Sequence, residues 1–458
     1  MSGIDYAKQH ADRFVTDLVD LLKIPSISTR PEHHPDVERA ALWLRDHMHR
    51  IGLEPTIFRA EGRLPLVYGE WFGAGPDAPT VLIYCHYDVQ PAVLEDGWLS
   101  EPFAPTFRDG RIYARGAVDS KCHVIIQLAA VEALLAADAP AVNIKLLFEG
   151  EEESGSGHIF RFVREHAELL KCDVCVVSDG SMPDENQPIL DYGLRGLSPS
   201  LELHVTGPKR DLHSGHFGGS THNPIHALVH MLSQLHDEAG RVAVPGFYDD
   251  VTPLSAEERA VLAPIGPWIE AEWREVAGAP QPWGDPDYQL HERVMVRPTL
   301  EFNGIYGGYT GIGVKTVLPS TASAKITCRL VAHQDPTRVY ELLKAHIARI
   351  TPPTVTSELR VLEAGAPAVV IDRNTPAMRA VHAAYREGWG VEPIFSRMGG
   401  SVPVVAVFQK TLNAQFVLMP FGYKGGGAHS TNEYAVIDML HKGIATMLHF
   451  FRGLPTTA

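Results

Sequence analysis

A chain of 458 residues exceeds what a single core usually spans and fits two domains, or one large domain carrying an insert. Hydrophobic residues at 45% and charged residues at 21% describe a globular protein, and no apolar run approaches the roughly 18 residues that a membrane span needs. Lys and Arg number 40 against 55 Asp and Glu, a net charge of −15 that disfavours nucleic acid and anionic membrane surfaces as partners.

The first predicted element is a helix over residues 5–22, with Phe14, Val15, Leu18, Leu21 and Leu22 at helical spacing and Pro25 to end it. The segment before it lacks the basic and apolar regions of an export signal. From there to about residue 195 strands alternate with helices. Residues 80–85, 143–148 and 173–178 are apolar runs of the kind buried on both sheet faces, and 123–135 and 159–170 read as helices. This βαβα order predicts an α/β fold, a mixed sheet with helices on both faces. After Tyr192–Gly196 the texture changes. Residues 201–205 and 324–330 alternate as half-buried strands do, and 335–350 is an amphipathic helix with Asp335 as its cap and Pro336 in its first turn. Another strand follows over 357–362, and a Pro/Trp-rich insertion from Pro245 to Arg297 swells this smaller α+β unit. The α/β texture resumes near Pro367, with 415–419 as a further buried strand. The expected organisation is an α/β domain over 1–196 and 362–458, interrupted by an α+β domain over 197–361.

Cys85, Cys122, Cys172, Cys175 and Cys328 are an odd and scattered set, which argues for a reducing, cytoplasmic setting. Cys172 and Cys175 have CxxC spacing. Read as part of a strand over 172–178, however, they face opposite ways, so both are expected in the core and not on a metal.

Metal-type ligands gather in five loops. His86-Tyr87-Asp88, the segment Gly116–Lys121 with Asp119, the run Glu149–Ser156 and the turn Val177–Gly180 with Asp179 each follow a buried strand or open a helix. His429 lies in Gly425–Ser430, shortly after the strand over 415–419. Ligands of open α/β sheets bind beyond the carboxyl ends of the strands, so these loops should converge. Singly, each piece is ordinary: an Asp in such a turn is usually a turn or cap residue, and a Glu run can complement a helix start. Together they are not, because Glu151, Glu152 and Glu153 in succession beside a buried strand would repel strongly without cations. Asp119, Asp179 and Glu153 carry three negative charges, and His86 and His429 bind as neutral imidazoles. Two divalent ions and one hydroxide then make a neutral site. Nitrogen and oxygen ligands without thiolate suit Zn²⁺ by default, with Mn²⁺ or Co²⁺ as alternatives.

The ordered motifs H-Y-D, R-G-A-V-D-S-K, E-G-E-E-E-S-G-S, V-S-D-G, D-L-H-S-G, G-G-S-V-P and G-A-H-S-T-N-E span almost the whole chain. They resemble the di-zinc metallopeptidase family of carnosinases, cytosolic non-specific dipeptidases, aminoacylases and glutamate carboxypeptidases. K-T-V-L-P and the strand carrying Arg329 bring the dipeptidase branch nearest. The resemblance implies that Asp119 bridges two metals, with His86 and Asp179 completing one site and Glu153 and His429 the other. Asp88 resembles the carboxylate that orients His86, and Glu152 the catalytic Glu that moves a proton from the metal-bridging water to the leaving amine. By the same resemblance the inserted domain is a lid and dimerisation domain, so a homodimer is expected. His213 resembles the lid histidine that stabilises the oxyanion in the partner subunit's active site. Thr316, Arg329 and Ser401 match substrate-binding positions, with the Arg329 guanidinium suited to a terminal carboxylate. Met398, where many relatives carry an acidic residue, and the run Gly425-Gly426-Gly427 depart from the pattern and bear on substrate preference.

The expected reaction is hydrolysis of the peptide bond of a small dipeptide. A deacylase of N-acyl amino acids and a non-catalytic relative serving as a binding subunit are the alternatives. Retention of Glu152 beside the whole ligand set counts against the second of these. Neither a G-x-S-x-G elbow nor a phosphate-binding P-loop motif occurs.

Overall fold

The computed structural model describes residues 1–137, 140–400 and 402–454. They form two compact units, Met1–Tyr192 with Ile371–Phe395 and Val407–Ala458, and Gly193–Val370 with Ser396–Ala406. Main-chain pairing explains why the second unit reaches past 197 and 361. Leu197 and Ala366 exchange hydrogen bonds of 2.8 and 3.0 Å, and the Arg195 side chain donates to the carbonyl of Gly399 at 2.8 Å.

A six-stranded mixed sheet organises the first unit, in the order Glu54–Phe58, Leu66–Trp71, Asn143–Glu149, Thr80–His86, Val174–Val177, Gln415–Leu418. The last four strands run parallel, and Leu66–Trp71 joins them antiparallel. Asn143–Glu149 is buried along its whole length, as its unbroken apolar pattern requires of a strand covered by helices on both faces. Helix Cys122–Ala137 is buried from Cys122 to Val131 without interruption and packs on Ile437–Gly453, which packs in turn on Pro376–Trp389. Extended back to Ala117, that helix is the one element among the described residues long and apolar enough to cross a membrane, and it lies mostly inside the unit. The single helix expected over 5–22 is two, Gly3–Gln9 and Ala11–Leu22. The break is at His10, which leaves helical geometry (φ −107, ψ 14) and stacks its ring on Tyr6. All five cysteines are free and buried. Cys172 and Cys175 do meet, contrary to the strand argument, because the strand starts only at Val174.

An antiparallel sheet centred on Thr321–Leu330 organises the second unit. Thr299–Gly307 pairs on one side of it, Gly196–Leu197 and Ser200–Thr206 on the other, with Thr356–Glu363 beyond. Ser200–Thr206 alternates strictly, and its inward Leu201, Leu203 and Val205 meet Ala324, Ile326 and Cys328 in the core with Val339, Leu343 and Ile347 of helix Pro336–Ile350. Asp335 caps that helix, accepting from the Arg338 N–H at 2.9 Å. The Pro/Trp-rich insertion holds helices Ala256–Leu262, Gly266–Glu272 and Leu290–Val296, which its composition does not announce.

Candidate metal centre

Parallel strands Thr80–His86, Asn143–Glu149 and Val174–Val177 end together, so the loops bearing His86 to Asp88, Glu151 to Glu153 and Asp179 open at one edge of the sheet. Asp119 reaches the same place from the irregular turn Ala117–Lys121, entered through Gly116 at φ 82. Glycine is required there, because a Cβ would lie 2.5 Å from Cγ1 of Val89. His86 Nε2 lies 3.1 Å from Asp119 Oδ1 and 4.0 Å from Asp179 Oδ1. His429 Nε2 lies 3.1 Å from Asp119 Oδ2 and 3.2 Å from Glu153 Oε2. The result is two triads, His86–Asp119–Asp179 and Asp119–Glu153–His429, each offering ligand atoms within 4.8 Å of one another. Asp119 belongs to both and turns one oxygen toward each histidine. No cysteine takes part.

Neighbouring groups hold these ligands. Nδ1 of His86 sits 3.2 Å from the main-chain oxygen of Asp88 and 3.4 Å from its Oδ1. The fully buried Asp88 carboxylate also accepts from the main-chain N–H groups of Glu152 (3.1 Å) and Glu153 (3.0 Å), so one side chain sets a histidine and the acidic turn together. Gln90, not singled out in the sequence, donates to Glu153 Oε2 at 2.7 Å. The three successive acids have separate fates. Glu151 turns away and accepts from the N–H groups of Leu64 and His158, so it adds less to the repulsion than its position in the run suggests. Glu433, also missed, accepts from Arg115 and from three main-chain N–H groups of the Asp119 loop. Its sequence signal is its place at the end of G-A-H-S-T-N-E, four residues after His429. The glycine run before His429 has a steric reason at Gly426, where a Cβ would lie 2.6 Å from the oxygen of Tyr434. His429 itself adopts φ 60, a conformation that a non-glycine residue holds at some cost.

The electrostatics describe a site built for cations. Burial alone would push Asp119 up, yet hydrogen bonds from His429 and His86 hold it far below the usual carboxylate range. His429 is raised to about 10 by Asp119 and Glu153, and His86 is raised well above its usual value by Asp119 and Asp88 against the effect of burial. Desolvation pushes Glu152 to about 8, with His86 opposing and Asp179, Asp88 and Glu153 reinforcing. Protonated imidazoles here neutralise carboxylates that divalent ions would neutralise instead. A further mark of fit is Glu153 Oε1, which is buried and has no hydrogen-bond partner among the described residues, while Oε2 meets His429. Three carboxylates and two imidazoles are the donor set that Zn²⁺ or Mn²⁺ accepts.

Of the other residues singled out in the sequence, His213, Thr316, Arg329 and Met398 belong to the second unit. His213 is exposed, its Nδ1 accepts from the Gly215 N–H at 3.0 Å, and its ring stacks on His216. Thr316 is beside it, accepting from the Ser214 N–H at 3.0 Å, because Leu212–His213 pairs with Val317–Leu318. Arg329 stands elsewhere on the sheet and is half-buried. With Arg195 and Arg297 it lines a cavity of about 690 Å³. Met398 closes the strand Ile394–Met398, and its carbonyl accepts from the Arg195 N–H. Ser401 lies outside the described residues.

The family model of peptidase family M20/M25/M40 matches residues 82–453. The chain belongs to this family. It is 34% identical to the Cys-Gly metallodipeptidase of Schizosaccharomyces pombe, across 98% of this chain and 96% of that protein. Human carnosine dipeptidase 1 superposes with a TM-score of 0.82 at 30% identity, covering 99% of this chain and 98% of that one. An M20 family metallo-carboxypeptidase from Sulfolobus solfataricus gives 0.83 at 31% identity, covering 96% and 98%. The M20 chain is therefore a metallopeptidase, a hydrolase of α/β fold whose carboxylate and imidazole groups are arranged for metal ions.

Proposed function

We propose that this M20 chain is a dipeptidase holding two divalent ions, Zn²⁺ by default, with Asp119 shared between a His86–Asp179 site and a Glu153–His429 site. The observation that carries the reading is the pair of triads with Asp119 in common, one oxygen directed at each histidine. Bound ions would polarise the scissile carbonyl and make a water nucleophilic at neutral pH. Glu152 is assigned the proton transfer: its carboxylate takes a proton from the attacking water and returns it to the departing amine. Asp88 keeps Glu152 in position through its main-chain N–H and fixes the His86 ring in the same contact set. The Arg329 guanidinium is assigned to the substrate's terminal carboxylate, Thr316 and Ser401 to its binding, and His213 to the oxyanion.

The S. pombe and human proteins, named for dipeptide substrates, support a small peptide as substrate. A homodimer through the second unit is part of the proposal. It is supported by Ile305, Tyr309, Ile312 and Val314, exposed apolar residues on or just after the edge strand Thr299–Gly307. The five free, buried cysteines support a reducing, cytoplasmic setting. The deciding experiment is hydrolysis of a panel of dipeptides, longer peptides and N-acyl amino acids, with Zn²⁺ and Mn²⁺ supplied separately, by the wild type and Glu152→Gln. Turnover confined to dipeptides and lost in the variant is expected. Preference for N-acyl amino acids favours the deacylase alternative, longer peptides a carboxypeptidase, and no turnover at all a binding subunit.

A further inference from the structure

We infer that Glu433 is a positioning residue that locks the loop carrying His429 to the loop carrying Asp119. This inference rests on the two-metal reading and assigns a role to a side chain outside its ligand set. The turn Ala117–Lys121 is not helical at Asp119 (φ −126, ψ 90) or Ser120 (φ −137, ψ 22), so its N–H groups need acceptors from elsewhere. One carboxylate supplies them. Oε1 of Glu433 accepts from the N–H groups of Val118 at 2.9 Å and Asp119 at 3.0 Å. Oε2 accepts from Gly116 at 2.9 Å and from the Arg115 guanidinium at 2.7 Å. Glu433 is fully buried, and four donors converge on its two oxygens.

The geometry joins both ends of the chain. Glu433 stands four residues after His429, and its main-chain oxygen also accepts from the Ala114 N–H at 3.0 Å. His429 meanwhile reaches Asp119 Oδ2 with its imidazole. Two contacts from one short segment therefore fix Asp119, one to its main chain and one to its carboxylate. Because Asp119 belongs to both triads, a displaced Asp119 loosens both ion sites at once. A glutamine in place of Glu433 keeps the size but has a single acceptor oxygen, so one donor pair would face an NH₂ group.

A carboxylate serving only the fold would cost stability and leave metal affinity alone, and this difference separates the two roles. The test titrates Zn²⁺ alone by calorimetry into chelator-stripped wild type, Glu433→Gln and Glu292→Gln, with thermal midpoints of the metal-free proteins alongside. Glu292 is the comparator: it is buried and paired with Arg259 in the second unit, which contains no residue of either triad. The Glu433→Gln variant is expected to weaken Zn²⁺ binding about 10- to 100-fold, the range seen when groups supporting metal ligands are changed. Its kcat at saturating Zn²⁺ should recover well beyond its kcat at limiting Zn²⁺. Glu292→Gln should lower the midpoint and bind Zn²⁺ as the wild type does. Should Glu433→Gln not fold, Glu433→Asp is read in its place, since it keeps the charge beside Arg115 but is one methylene short of the donors. Wild-type affinity in either folded variant overturns the inference. Failure of the wild type to bind Zn²⁺ overturns the two-metal reading, and this inference with it.

Discussion

Glu152 and Glu153 are neighbours in the chain with different surroundings. The Glu153 side chain is only 4% exposed and meets His429 and Gln90. Glu152 is half-buried, and in the metal-free site its carboxyl is pushed to about 8 by desolvation against the pull of His86. Nearby cations would lower it and leave a base able to take a proton near neutral pH. Glu152→Gln is therefore expected to cut kcat by about 10²- to 10⁴-fold while metal content, measured by elemental analysis, stays at the wild-type value. Near-wild-type turnover would contradict the role given to Glu152. At this scale the ligand-type residues are legible in the sequence because each stands just beyond a buried strand or a glycine turn. Glu433 and Arg115 stand in the motifs G-A-H-S-T-N-E and R-G-A-V-D-S-K, but their pairing is not legible. A buried Glu accepting from main-chain N–H groups looks, in one dimension, like any surface Glu. The same blindness made Glu151 count toward a repulsion that Leu64 and His158 relieve.

Strands buried on both faces announce themselves as unbroken apolar runs, so Thr80–His86, Asn143–Glu149 and Gln415–Leu418 are readable to within a residue or two. The break at His10 is not readable, because apolar residues continue on both sides of it, while in the structure His10 stacks on the Tyr6 ring and its Nδ1 meets the Tyr6 main-chain oxygen at 2.9 Å. The insertion's helices are hidden by its prolines: Pro267 stands in the first turn of Gly266–Glu272, and Pro264 in the short 3-10 turn Ala263–Ile265 just before it. Helix His34–Arg50 carries a pH-dependent contribution to stability. His47 is 4% exposed and packs against the Trp43 ring; burial, with Arg50 and Arg13 nearby, lowers it to about 3. Asp17, joined to Arg50 and Arg13, and Glu132, joined to Arg13, are the carboxylates of this cluster. In the unfolded chain His47 takes a proton near pH 6.5, and in the folded one only near 3, so its contribution is full above 6.5 and is lost as the pH falls below it. From pH 7 to pH 5 the loss amounts to at most about 2 kcal/mol. Urea unfolding of the metal-free protein at both pH values should show it, and His47→Gln should flatten the difference between them. An equal acid response in that variant would place the sensitivity elsewhere.

For the molecule as a whole, one α/β unit carries every residue of the two triads, and the second, antiparallel unit carries His213, Thr316 and Arg329. In sequence the texture changes after Tyr192, near where the second unit begins, and strands covered on both faces give way to strands that alternate. Pairings such as Leu197 with Ala366 set its limits, and these join residues too far apart in the chain for any local pattern to register. The requirement proposed above is that hydrolysis needs both triads filled, because they share Asp119. It is tested most directly by restoring Zn²⁺ stepwise to chelator-stripped protein while following cleavage of a dipeptide. Activity is expected to climb to its plateau as the second equivalent per chain binds. Full activity with one equivalent or none, or no activity with two, would contradict it.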